Sequence, residues 1–332
     1  MKISIIGCSK RFKNSYFYIL NALGHDISVW NRTLQKSIDF CNEKKIDILD
    51  NISDANDADL ILCFTPPETH FEIISKLKTK ATILVETPAI DSRLISCESK
   101  VGVMEQWPHL PLEQMKELIF SSGVMKRPYI VMNDGRSFDY HAMAQLRAYI
   151  DRSVPKWAVA LSKNHPNHGV KDFDGTLNSK NHDWLLGHIE MSNGSILSYN
   201  FTYNCKSLLS IPIQFLRCLS EDGSITTGRM KEMGNDYEVI DVRTVNSSKE
   251  VEIQDVTLSR EAKVTKSISV AGVKWENQFQ DLMFDDQQVA MATLVTNAMR
   301  GDVYSYKDSY IDYVCINMIK QAAHSRTPVR IN

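Results

Sequence analysis

Gly7 closes the apolar, β-branched run Lys2-Ile3-Ser4-Ile5-Ile6, and Ser9 and Lys10 follow it within one turn. A glycine there lets a strand pass into a helix through a conformation other residues resist, and the first N–H groups of such a helix can receive a pyrophosphate. The Ser9 hydroxyl could add a hydrogen bond to phosphate. The next apolar run, Asp26-Ile27-Ser28-Val29-Trp30, ends at Asn31, Arg32 and Thr33. An NAD site asks for Asp or Glu at that strand end to take the ribose 2′-OH, whereas a guanidinium beside a hydroxyl suits a 2′-phosphate. These residues point to NADP(H) in preference to NAD(H). The alternative is that Arg32 is a solvated residue opening the next helix. In the pattern G-x-G-x-x-G the second and third glycines are here Ser9 and Phe12, and Phe12 implies a looser approach of helix to strand.

The elements that must position these residues alternate. Large apolar residues at helical spacing over 12–23, stopped by Gly24, predict a helix. A lysine-rich surface helix is expected over 34–45 and a brief strand over 46–49. Residues 58–64 are a continuous apolar strand halted by Thr65-Pro66-Pro67, the signature of a parallel strand covered on both faces. An amphipathic helix over 68–78 leads to a strand over 81–85 that ends at Glu86-Thr87-Pro88. In an open parallel sheet ligands lie outside the carboxyl ends of the strands, so Gly7, Asn31, Thr65 and Glu86 should face one crevice. From Pro128 onward the chain reads mainly as strands: 129–133, 157–161, a hairpin of 184–191 and 196–203 turning at Ser192-Asn193-Gly194-Ser195, then 212–219, 237–244 and 250–258. The expectation is an α/β Rossmann-type N-terminal domain with a parallel sheet over 1–120, and an α+β C-terminal domain with a largely antiparallel open sheet over 121–332.

Length suits two domains, and a net charge of -2 without a basic tail or charge block argues for a small-molecule substrate and against nucleic acid or membrane as partner. The seven cysteines (Cys8, Cys41, Cys63, Cys97, Cys205, Cys218, Cys315) form no C-x-x-C pair and read as reduced thiols of a cytoplasmic protein. No signal peptide and no membrane span are expected.

Strand ends carrying T-P-P-x-x-H (Thr65 to His70) and then E-x-P (Glu86 to Pro88), after a Rossmann opening, form a specific combination. With it, the chain resembles the Gfo/Idh/MocA family of NAD(P)-dependent oxidoreductases over nearly its full length. Residues 103–111 look like the family's proline-containing segment after its E-K-P motif, 122–128 like its "S-G-x-I-G-x-P" entry to the second domain, and 279–300 and 309–325 like its closing helices. The resemblance implies a cofactor site from Gly7, Ser9, Lys10, Asn31, Arg32, Thr33, Thr65, Pro66, His70, Glu86, Thr87 and Gln106. His70 is expected to cap or pack near the adenine side; Glu105 and Gln106, at a strand end in the same crevice, are candidates for contact with nicotinamide or substrate, the alternative being solvated loop residues. It also implies a homodimer or homotetramer built on the open sheet. The family's catalytic lysine position is Thr87, which holds no charge and cannot act as a general acid near neutrality. The best match to the family's second-domain histidine is His141, which could exchange a proton with a substrate oxygen or nitrogen. The acidic residue expected one helical turn later is Ala144; Asp139 or Tyr140 could take its role, and spacing does not choose between them.

His165, His168, Asp172, Asp174, His182 and Asp183 cluster in a polar stretch, residues 162–183, read as a loop bordering the substrate and not as a metal site. The resulting expectation is an NADP(H)-dependent oxidoreductase moving a hydride to or from a carbonyl or imine carbon of a small polar metabolite. Its rival is a catalytically silent cofactor-binding or regulatory protein of the same fold.

Overall fold

The structure, a computed structural model, describes residues 1–96, 100–165, 182–202, 213–232 and 235–331. The chain starts with β1 (Lys2–Ile6), then one π-wound turn (Phe12–Tyr16) running directly into α1 (Phe17–Ala22). Next come β2 (Asp26–Trp30), α2 (Gln35–Lys44), β3 (Asp47–Ile48), β4 (Leu60–Cys63), α3 (His70–Ile74), β5 (Thr82–Val85) and β6 (Val101–Val103). These six strands form one parallel sheet in the order β3-β2-β1-β4-β5-β6. The chain order reverses between β1 and β4, so a crevice opens at the carboxyl ends of those two strands. β4 is buried at every position, as its unbroken apolar run requires of a strand with both faces covered.

The remaining elements are α4 (Pro111–Ser121), β7 (Ile130–Asp134), α5 (Asp139–Ala148), β8 (Pro155–His165), β9 (His182–Met191), β10 (Ile196–Phe201), β11 (Ile213–Ser220), β12 (Gly223–Glu232), β13 (Asn235–Val245), β14 (Val251–Ile253), β15 (Val256–Glu261), β16 (Val264–Val270), β17 (Val273–Glu276), α6 (Asp286–Met299), α7 (Tyr306–Ser325) and β18 (Val329–Arg330). Nine of these strands make a mixed sheet, β14-β13-β12-β11-β7-β10-β9-β8-β18, in which the β7/β10 pairing is parallel and the other pairings with printed register are antiparallel. The hairpin of β9 and β10 turns through Gly194 at φ 85°. The strands expected over 212–219 and 237–244 leave out β12, which follows β11 through a tight hairpin turn at Glu221 and Asp222. The single strand expected over 250–258 is two, β14 in the large sheet and β15 in a separate three-stranded sheet with β16 and β17.

The chain divides into two compact units. The first takes Met1–Pro111, Ala262–Val264 and Asn277–Tyr310; the second takes Leu112–Glu261, Thr265–Glu276 and Ile311–Asn332. The first unit therefore recruits α6 from far along the chain: Leu294, Val295 and Ala298 share one core with Ile3, Ile5, Leu60, Leu62 and Leu84. In the second unit α4, α5 and α7 lie over one face of the large sheet. Lys116 of α4 donates to Thr227 of β12 at 3.0 Å, Arg147 of α5 pairs with Asp312 of α7 at 2.5 Å, and a Cβ on Gly187 of β9 would meet Ile319 at 3.0 Å. The other face exposes Leu161, Leu186 and Ile196. Among the described residues, no helix is long and apolar enough to cross a membrane.

Candidate functional site

Gly7 sits at φ 93°, where an L side chain is strained, and its N–H continues the ladder by donating to the Trp30 carbonyl at 2.8 Å. A Cβ there would fall 2.8 Å from Thr65 Cγ2 and 3.1 Å from the Phe64 carbonyl oxygen, so the turn is pressed against the end of β4. Ser9 acts as the cap of the following helix: its Oγ accepts from the Phe12 N–H at 3.2 Å and its carbonyl accepts from Lys13 N–H at 3.1 Å. The Ser9 hydroxyl proton remains available to a ligand. Lys10 is exposed. The N–H groups of Lys10 and Arg11 belong to the first helical turn, which has no intrahelical acceptors to offer them.

Phe12 does not simply loosen the helix. Its ring is buried in a cluster with Phe17, Phe40 and Phe64, at centroid distances of 6.3, 5.9 and 5.6 Å, and Tyr16 joins Phe64 at 5.0 Å. The Phe17 N–H reaches back to the Phe12 carbonyl, giving the wide π turn, and both Phe12 and Tyr16 meet Phe64 from it.

At the end of β2, Asn31 Oδ1 accepts from the Cys8 N–H at 3.3 Å and Asn31 Nδ2 donates to the Thr33 carbonyl at 2.7 Å, so Asn31 shapes the turn. Arg32 and Thr33 are exposed. Arg32 borders a cleft of about 430 Å³ that is also lined by Trp30, Asn31, Leu34, Asp50 and Ser53. At the end of β4, Thr65 Oγ1 lies 3.2 Å from Cys63 Sγ and receives the Thr69 hydroxyl at 3.0 Å, while Pro66 is exposed. His70 is fully buried, and its Nε2 lies 2.9 Å from the Thr65 carbonyl, which can only accept. Burial holds the imidazole pKa below its ordinary value, partly offset by that bond. His70 thus pins the strand-end turn as a neutral ring.

At the end of β5, Glu86 Oε1 lies 2.9 Å from Arg11 Nε, and Arg11 Nη2 donates to Gln106 Oε1 at 2.7 Å. The guanidinium carbon lies 5.8 Å from the Tyr16 ring centre. Burial alone would lower the Arg11 pKa, but Tyr16 and Glu86 outweigh it and the charge is held more firmly than usual. Desolvation lifts the Tyr16 hydroxyl well above its ordinary range, so it stays protonated. Glu105 is buried, and its Oε1 accepts from the Trp107 N–H at 3.2 Å. Thr87, which follows Glu86 in the chain, is buried. Gly7, Asn31, Thr65, Glu86 and Gln106 are all assembled at the strand ends of the first unit. Arg11 joins them although sequence reading passed over it. The available signal was a third polar residue in the turn, Ser9-Lys10-Arg11, ahead of a helix whose inward positions are apolar.

In the second unit, Asp139, Tyr140 and His141 open α5. Asp139 has φ 47°, donates its N–H to the Tyr199 hydroxyl at 3.1 Å and pairs with Lys320 at 2.7 Å. His141 is buried with the Tyr140 ring 4.3 Å and the Phe138 ring 5.2 Å from its own centre. Tyr140 and His141 are thus neighbours in space, while Asp139 is engaged by a lysine. His168, Asp172 and Asp174 lie outside the described residues, as do the side chains of His165, His182 and Asp183. Among the described residues no group of three His, Cys, Asp or Glu is arranged to hold a metal.

No family model matches this sequence, and no curated protein matches it. Solved structures do. The transcriptional regulator Gal80p from Kluyveromyces lactis superposes with a TM-score of 0.69 at 13% identity, covering 99% of this chain and 93% of that one. An NAD binding oxidoreductase from Klebsiella pneumoniae gives 0.69 at 11% identity, covering 100% and 99%. UDP-N-acetylglucosamine 3-dehydrogenase GnnA from Acidithiobacillus ferrooxidans gives 0.64 at 10% identity, covering 98% of each chain. At such identities the likeness is one of fold: a two-part architecture with a six-stranded parallel sheet and a mixed, mainly antiparallel one.

Proposed function

We propose that the first unit binds a nicotinamide dinucleotide along the carboxyl ends of its parallel strands, and that the chain is an NADP(H)-dependent oxidoreductase acting on a carbonyl or imine carbon of a small polar metabolite. The observation that carries this reading is Gly7, held at positive φ against Thr65 in a turn that a single Cβ would fill. The Lys10 and Arg11 N–H groups would hold the pyrophosphate, and Arg32 would take the 2′-phosphate from its exposed position at the end of β2. The dinucleotide supplies the hydride; the chain supplies position and a proton. Thr87 carries no charge where a lysine is expected, which favours an already electrophilic protonated imine over a neutral ketone. His141, buried at the opening of α5 beside the Tyr140 and Phe138 rings, is the proposed proton carrier. The five described cysteines are free thiols, which suits a cytoplasmic setting. The exposed Leu161, Leu186 and Ile196 face of the large sheet is the proposed contact of a homodimer or homotetramer.

The test is a fluorescence titration with NADPH and NADH on wild type and Arg32→Ala. Wild type should prefer NADPH, and the variant should lose that preference by about 10- to 100-fold, the range of one charge-assisted contact. Affinity for neither coenzyme would remove the reading.

A second reading, a regulator that keeps the fold and the coenzyme without turnover, is favoured by Thr87 and Ala144, the two positions where the resembled chemistry has no side chain to perform it. Binding of NADPH with no oxidation across ketone and imine panels would select it.

A further inference from the structure

We infer that Arg11 is a cofactor-contacting residue, receiving the nicotinamide half of the dinucleotide. This inference rests on the coenzyme reading above. Arg11 stands in the first helical turn after Gly7, where the pyrophosphate is expected, yet its side chain runs the other way along the crevice. It crosses from the end of β1 to the ends of β5 and β6, anchored by Glu86 at 2.9 Å and Gln106 at 2.7 Å. A dinucleotide whose adenosine lies over β2 and whose pyrophosphate lies at the β1 turn must extend its other half along this same line. The guanidinium is therefore in its path.

Three features make it a contact and not an obstacle. The side chain keeps 33% of its surface exposed, so a ligand in the crevice can reach it. Nη2 donates to Gln106 and Nε faces Glu86 as an ion pair, and the planar fork with its five N–H donors has the geometry that suits phosphate oxygens or ribose hydroxyls. Its rotamer is already fixed by Glu86, Gln106 and the Tyr16 ring, so little further side-chain order is lost on binding.

The experiment measures coenzyme affinity of wild type, Arg11→Met, Arg11→Lys and Arg11→Met/Glu86→Gln. A half-cofactor lacking the nicotinamide side serves as control: adenosine 2′,5′-bisphosphate if the wild type prefers NADPH, 5′-AMP if it prefers NADH. Arg11→Met should weaken the full coenzyme by about tenfold or more while leaving the half-cofactor unchanged, Arg11→Lys should fall between, and Glu86→Gln should not rescue. Unchanged coenzyme affinity in Arg11→Met overturns the inference. So does an equal loss for the half-cofactor, which would mean a collapsed turn, and so does full rescue by Glu86→Gln, which would reduce Arg11 to a counter-charge. A wild type that binds neither coenzyme nor half-cofactor fails the coenzyme reading itself, a distinct result.

Discussion

His70 shows how a motif residue works through structure instead of chemistry. Its ring is buried and neutral, with Nε2 donating to the Thr65 carbonyl, and burial holds its pKa below the ordinary 6.5. The unfolded chain therefore binds a proton at this residue before the folded chain does. Stability contributed by the neutral ring is present above pH 6.5 and is lost as pH falls below it, with a slope of at most about 1.4 kcal/mol per pH unit for one proton. His70→Gln keeps a donor for Thr65 but cannot titrate. Denaturant midpoints measured from pH 7.5 down to about pH 5 should converge between wild type and variant as pH falls. A difference independent of pH would mean that His70 is not buried neutral.

At the scale of elements, the covering helices of the second unit are locked by charge as well as by packing. Arg147 of α5 is fully buried, pairs with Asp312 of α7 at 2.5 Å, and also donates to the carbonyls of Ser153 and Arg152 at 3.0 and 2.6 Å. Deleting one partner of such a pair strands a charge in a poorly solvated interior. Asp312→Ala should cost about 3–5 kcal/mol in urea or guanidinium unfolding, far more than a surface carboxylate. A loss below about 1 kcal/mol, the value of an exposed pair, would show that water reaches this contact. In the first unit the comparable element is the π turn. Its extra width lets Phe12 and Tyr16 both reach Phe64, and so fixes the start of the helix that follows Gly7.

For the whole molecule, a ligand that binds only the folded first unit stabilises it by mass action. NADPH at about 100 times its dissociation constant should add about 2.7 kcal/mol to that unit. Scanning calorimetry should show a rise in melting temperature with added coenzyme, abolished together with affinity in Gly7→Val, whose side chain would collide with Thr65 and Phe64. A melting temperature indifferent to both coenzymes would count against the coenzyme reading.

The parallel strands were legible because burial on both faces demands unbroken apolar runs, and β1, β4 and β5 advertise them. The meeting of Gly7, Asn31, Thr65 and Glu86 at one sheet edge followed, since alternating strands and helices leave few ways to wind a sheet, while the strand order itself emerged only in the fold. β12 was hidden because its small and polar residues, Thr226, Thr227, Gly228 and Arg229 among them, imitate a loop. Two further matters were decided only in three dimensions. The core of the first unit takes α6 from nearly two hundred residues beyond its own last strand, a closure that no local pattern announces. Arg11, unremarkable in the chain, becomes the cation at the mouth of the sheet because Glu86 and Gln106 arrive beside it from β5 and β6. Periodicity encodes which face of an element is buried. It carries no record of which distant side chain will meet a charge, because that depends on where separate elements end once they are packed.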